Sequence, residues 1–105
     1  MMPLLYIDGD QIREKISRDM RSLVETFTRG NPDAPRMKPL DATKVLMGIR
    51  SERDCVKQFM HDGKYFAAYH EYDYEQLSSL SDQVVKQWYL DNIHVLEETL
   101  KRKKV

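Results

Sequence analysis

Asp8 and Asp10, separated by Gly9 and preceded by the apolar run Leu4-Leu5-Tyr6-Ile7, are the acidic residues of this chain best spaced for chemistry. Two carboxylates at i and i+2 on the end of a strand can ligate Mg²⁺ through oxygen and support phosphoryl transfer. The same pair at a helix start needs no metal, because a carboxylate there meets unpaired backbone N–H groups. His61, His70 and His94 are the other metal-ligating types. No two of them stand three or four positions apart, and neither a Cys-x-x-Cys nor a His-Glu-x-x-His is present. Cys55 lies among Val56, Phe59 and Met60 at helical spacing, the setting of a small buried hydrophobe rather than a nucleophile. Neither a glycine-rich phosphate loop nor a Gly-x-Ser-x-Gly elbow occurs. The expectation is no catalytic residue and no cofactor, with Asp8 and Asp10 as the only metal candidates.

The opening Tyr6-Ile7-Asp8-Gly9-Asp10 resembles the first strand of palm-type nucleotidyl cyclases and of some metal-dependent nuclease domains. Such folds carry further acidic residues at the ends of later strands, as in a Gly-Gly-Asp-Asp turn. No such turn is present in this chain. His61-Asp62 resembles the dyad of metal phosphohydrolases as a dipeptide alone.

Aromatic residues make a stronger pattern. Tyr65, Phe66, Tyr69, Tyr72 and Tyr74 fall within ten positions and are followed by Trp88 and Tyr89. Tyrosine and tryptophan offer large, stiff contact area with a polar tip, the properties of interface anchors. Glu71, Asp73 and Glu75 alternate with the tyrosines, so an exposed version of this segment would be both acidic and aromatic. Tyr65, Tyr69, Tyr72, Tyr74 and Trp88 are therefore the expected partner-binding residues. The alternative is that Tyr65, Phe66 and Tyr69 pack on the last helix.

Cationic residues gather in two places. Arg13, Lys15, Arg18 and Arg21 follow one another along the first helical segment, interleaved with Glu14, Asp19 and Glu25 as on a solvated face. Lys101, Arg102, Lys103 and Lys104 form a purer run that suits a helix C-terminus or contact with phosphates. Arg13, Arg18, Arg21 and residues 101–104 are the residues a nucleic-acid reading would use.

The elements that must position these groups are mainly helical. Ile12, Ile16, Met20, Leu23, Val24 and Phe27 form one stripe, predicting a helix over 9–29, with Asp8 and Gln11 as its cap pair and Gly30 as its stop. Pro32, Pro35 and Pro39 mark 31–39 as a connector between that helix and the others. Asp41 is placed to cap a short helix carrying Val45, Leu46 and Ile49. Ser51 and Asp54 open another that runs to the stop at Asp62-Gly63. Segment 64–74 fits either helix or strand, and helix is favoured by its spacing and its two alanines. Leu77, Leu80, Val84, Val85, Trp88, Tyr89, Ile93, Leu96 and Leu100 give a last helix near 75–102, begun by Asp73/Gln76 or Ser81/Asp82. Residues 3–7 read as a short strand or an apolar lead-in.

The 105 residues balance 17 Lys+Arg against 17 Asp+Glu, which suits one domain without the field of a DNA-coating protein. No apolar run reaches membrane-span length, and the N-terminus lacks the parts of a signal peptide. With a single cysteine, a disulfide-stapled scaffold is excluded and a cytoplasmic setting expected. The expected architecture is a mainly α, compact domain of four or five helices, with at most one short N-terminal strand. The leading function is a small non-catalytic protein–protein interaction module, an adaptor, regulator or inhibitor. It would bind another protein, or a second copy as a homodimer, through segment 65–74 and the last helix. Two alternatives stand beside it: a nucleic-acid-associated protein, and a Mg²⁺-dependent phosphoryl-transfer enzyme centred on Asp8 and Asp10.

Overall fold

The stripe of Ile16, Met20, Leu23, Val24 and Phe27 organises the molecule, because every one of these side chains is buried. They lie on α1 (Asp10–Gly30), the first of four helices in a computed structural model that describes residues 5–103. The others are α2 (Pro39–Met47), α3 (Asp54–Lys57) and α4 (Tyr74–Lys103). The fold is thus mainly α, as the apolar periodicity predicts, and no strand occurs among the described residues. Helix α4 packs on both α1 and α2, and α3 lies against α2.

Local chemistry explains most boundaries. The N-cap of α1 is Gly9 at φ 94°, and Asp8 is exposed and makes no cap, which corrects the expected Asp8/Gln11 pair. At the other end Gly30 stays helical, and the Asn31 amide closes the helix by donating to the Phe27 carbonyl at 2.9 Å. Helix α2 starts with Pro39 at its first position, where a missing N–H costs nothing. Asp41 sits one turn in and accepts the Lys38 N–H at 2.8 Å. At the start of α4, Asp73 accepts the Gln76 N–H at 3.0 Å, one of the two expected starts. Gln76 does not return to its own cap. Its side chain instead accepts the Ile7 N–H at 2.7 Å.

Residues 5–7 run beside 71–73 and make one isolated bridge, Leu5 with Tyr72, rather than a strand. The Leu5 N–H bonds the Glu71 carbonyl at 2.9 Å and the Asp73 N–H bonds the Leu5 carbonyl at 3.0 Å. Connector 31–38 is tied down as well. Met37 is buried and its N–H donates to the Tyr89 hydroxyl at 2.7 Å, while the Arg36 guanidinium lies 5.2 Å from the same ring centre.

Segment 58–72 departs most from expectation. Helix α3 lasts one turn, and the backbone then continues as successive turns, neither helix nor strand. The reason is where its backbone donors go. The Ala67 N–H bonds the Val45 carbonyl, which also accepts the Gly48 N–H of the cap, and the Tyr69 N–H bonds the Leu46 carbonyl, each at 2.8 Å, so the segment pairs with the last carbonyls of α2. Reaching them puts Ala67 at φ 63°, a left-handed conformation that a helix would not allow. Ala67 also presses on Gly48, the left-handed C-cap of α2 at φ 78°. A Cβ on Gly48 would stand 2.7 Å from the Ala67 Cβ.

Gly48→Ala should therefore destabilise the fold by at least about 2 kcal/mol, combining the left-handed penalty with displacement of Ala67. Gly63→Ala, where an added Cβ meets nothing, should change stability by less than about 0.5 kcal/mol. Urea unfolding followed by circular dichroism checks both.

Candidate functional site

Tyr65 and Tyr69, two of the expected anchors, face inward. They are 4% and 6% exposed, so neither is available to a partner in the folded chain. Both reach α1, not the last helix. The Tyr65 hydroxyl lies 2.6 Å from Ser22 Oγ, and the Tyr69 hydroxyl donates to Asp19. Burial and the Asp19 carboxylate together raise the Tyr69 pKa well above the ordinary phenol value, so the hydroxyl remains a donor. Edge-to-face contacts join Phe59 to Tyr65 and Tyr69 to Tyr72, at 5.7 and 5.6 Å between ring centres. The aromatic cluster belongs mainly to the core. Separations of 43 and 50 positions hide the Ser22 and Asp19 partners from any local pattern in the sequence.

Tyr74 is exposed at one end of α4, beside exposed Leu5 and Tyr6 and the acidic Glu71 and Glu75. Tyr72 and Trp88 are half-buried. Trp88 sits edge-on to Tyr89 at 5.2 Å and, with Val84, Gln87 and Asp91, lines a cleft of about 420 Å³ opposite Arg21 of α1. A second cleft of about 280 Å³ lies further toward the start of α4, lined by Ile7, Arg13, Asp73, Glu75 and Leu80 among others. Gln83 lines both. Together they form a groove along the α1–α4 face, lined by mixed polar and apolar side chains, with Asp73 and Glu75 toward one end and Asp91 toward the other.

Helix α4 then outruns the body that carries it. Tyr89 is the last buried residue along it among the described side chains; Leu90 is 67% exposed, and Asp91, His94, Glu97 and Glu98 are exposed. At about 1.5 Å per residue the helix is roughly 45 Å long, against a greatest molecular dimension of 51 Å. The overhang raises the radius of gyration to 14.2 Å, where a compact chain of this length has about 13 Å.

The remaining expected residues scatter. Asp8 and Asp10 are exposed at the start of α1, and among the described residues no group of three or more His, Cys, Asp or Glu is arranged to hold a metal ion. His61, His70 and His94 are exposed and separate. Arg21 is held by Glu14 at 2.8 Å, Arg13 lines the acidic cleft, and Arg18 is exposed, so α1 carries no continuous basic stripe. Lys101, Arg102 and Lys103 occupy the last turn of α4, and Lys104 lies outside the described residues. No described helix is long and apolar enough to cross a membrane.

Sequence reasoning missed one charged group. Asp41 is 2% exposed and paired with Arg53 at 2.8 Å, next to the buried Cys55. Burial and the Asp41 carboxylate push the Cys55 thiol up to about 11, leaving it unreactive near neutrality. Nothing at this pair opens to a cleft, so it serves the fold. Compared with known proteins, the chain matches no family model, no curated protein and no solved structure.

Because the folded thiol holds its proton to higher pH than the unfolded thiol, Cys55 contributes stability that is complete below about pH 8.5 and falls as pH rises toward 11. Replacing Cys55 with Ala should lower stability at pH 7 through the cavity. It should also reduce the loss seen between pH 9 and 10 by up to about 1 kcal/mol. Urea midpoints at pH 7, 9 and 10 measure the difference, and Cys55 alkylation should accelerate only on unfolding.

Proposed function

We propose that this chain is a small non-catalytic interaction module that binds another protein along the α1–α4 groove and the overhanging end of α4. The carrying observation is the overhang itself: a helix extended past its own core, with a half-buried tryptophan where the groove begins to lose cover. A chain needing α4 only for its own core could end it near Tyr89. An amphipathic helix with one free end is a common means of peptide or helix recognition. A partly exposed tryptophan in a cleft has the form of a binding anchor.

The docking residues are Trp88 and Val84 in the groove and Tyr74 at its end near Asp73, with Tyr65 and Tyr69 acting from below as core. The expected contact thereby moves from segment 65–74 onto α4. No observation favours catalysis, since Asp8 and Asp10 lack a third ligand among the described residues. The nucleic-acid alternative loses Arg21 to an ion pair and keeps the exposed Arg13 and Arg18 with the basic end of α4.

Trp88→Ala should reduce capture of the native partner about tenfold or more while circular dichroism stays helical. Leu40→Ala, exposed on α2 and lining neither cleft, serves as a folded control for nonspecific loss. Pull-down from the native host with each variant measures both, and capture independent of Trp88 would refute the reading.

A further inference from the structure

We propose that the free edge of residues 5–7 receives an extended, lysine- or arginine-rich segment of a partner protein, which pairs with the Tyr6 backbone. The site adds a second contact to the interaction module and stands whether or not the groove is used. Backbone geometry supplies the first half of the case. Residues 5–7 are bonded along one edge: the Leu5 N–H and C=O pair with Glu71 and Asp73, and the Ile7 N–H donates to Gln76 Oε1 at 2.7 Å. Successive residues of an extended segment turn their backbone groups to alternate edges. Tyr6 therefore directs its N–H and C=O to the other edge, and among the described residues it makes no backbone hydrogen bond. Its side chain is 55% exposed and Leu5 is 41% exposed, with exposed Tyr74 beside them. An unpaired edge is a template for strand addition, in which backbone bonds give affinity and flanking side chains select the partner.

Charge names the occupant. The bridge between Leu5 and Tyr72 joins two stretches distant in sequence, 5–10 and 70–76. Between them they carry Asp8, Asp10, Glu71, Asp73 and Glu75 and no lysine or arginine, in a chain whose formal net charge is zero. Asp8, Asp10, Glu71 and Glu75 are exposed, and none of the five carboxylates forms an ion pair among the described residues. Asp73 commits one oxygen to the Gln76 N–H. Few positive groups oppose them: Arg13 lines a cleft with Asp73 and Glu75, and His70 adjoins Glu71 in sequence. One guanidinium leaves most of this negative charge uncompensated. A cationic segment is attracted to such a surface, whereas a nucleic acid or an acidic protein is repelled. Exposed Leu5, Tyr6 and Tyr74 suit a segment whose apolar residues alternate with its basic ones, because a strand presents alternate side chains to one face.

A labelled hexapeptide alternating lysine and valine serves as the probe, with binding to the full chain followed by fluorescence anisotropy and by hydrogen exchange of the Tyr6 amide. The expected result is saturable binding that weakens about tenfold or more from low to high salt. Exchange at Tyr6 should slow about tenfold or more in the complex, and methylating the peptide nitrogens of its bonding edge should weaken binding about as much at unchanged charge. An alternating glutamate–valine peptide should not bind. Asp8→Lys combined with Glu71→Lys should abolish binding while circular dichroism stays helical, since Asp8 makes no cap and Glu71 bonds Leu5 through its carbonyl. A chain that does not bind the probe at low salt overturns the proposal, as does equal affinity for hexalysine and the methylated peptide, or a Tyr6 amide that exchanges at its free rate in the complex. Trp88→Ala should leave probe affinity within about twofold. Loss of probe binding in that variant would overturn the edge site by moving contact into the groove. Partner capture independent of Trp88, with probe binding intact, refutes the groove reading alone.

Discussion

Two backbone hydrogen bonds hold the irregular half of this molecule in place: Ala67 to the Val45 carbonyl and Tyr69 to the Leu46 carbonyl. Each is worth on the order of 1 kcal/mol net, and leaving a buried carbonyl unpaired would cost more. They hold the turn segment against the end of α2 and aim Tyr65 and Tyr69 at α1. Their cost is the left-handed backbone at Ala67, about 1–2 kcal/mol, and the requirement that position 48 carry no side chain. The polar residues beneath follow from this docking. Thr43 Oγ1 lies 2.9 Å from Ser81 Oγ, joining α2 to α4 inside the core. Asp41 is compensated by the Lys38 N–H and by Arg53, whose other face is open to water. A buried carboxylate without such partners would be strongly destabilising.

Among the described side chains of α4, burial ends at Tyr89. Tyr89 closes the core by accepting the Met37 N–H, which pins the proline-rich connector and gives the phenol both a bond and cover. Past that point little of the chain's own body covers the helix. The groove along α1 and α4 runs from Asp73 to Asn92, with Trp88 and Asp91 in its second cleft.

Periodicity made α1 and α4 legible, since both have apolar stripes sustained over many turns. The Asp73 cap and the proline start of α2 belong to the same class of signal. Segment 64–74 was not legible in the same way. Its tyrosines have helical spacing, yet their hydroxyls are satisfied by Ser22 and Asp19, and its amides by carbonyls some twenty positions back. A local pattern cannot report partners at that distance. Asp8 misled for a related reason: Gln76 and the core take hold of Ile7, the turn is made at Gly9, and the carboxylate is left in solvent.

The sequence by itself determined the helical class, the two long helices and the connector, because each depends on neighbours within a few turns. Tertiary structure alone decided which aromatics remain outside. Tyr65 and Tyr69 went to the core because α1 offered their hydroxyls partners, and Trp88 stayed at the rim because α1 ran beside it without covering it. It also decided that burial along α4, among the described side chains, stops at Tyr89, a place that no periodicity in the chain marks.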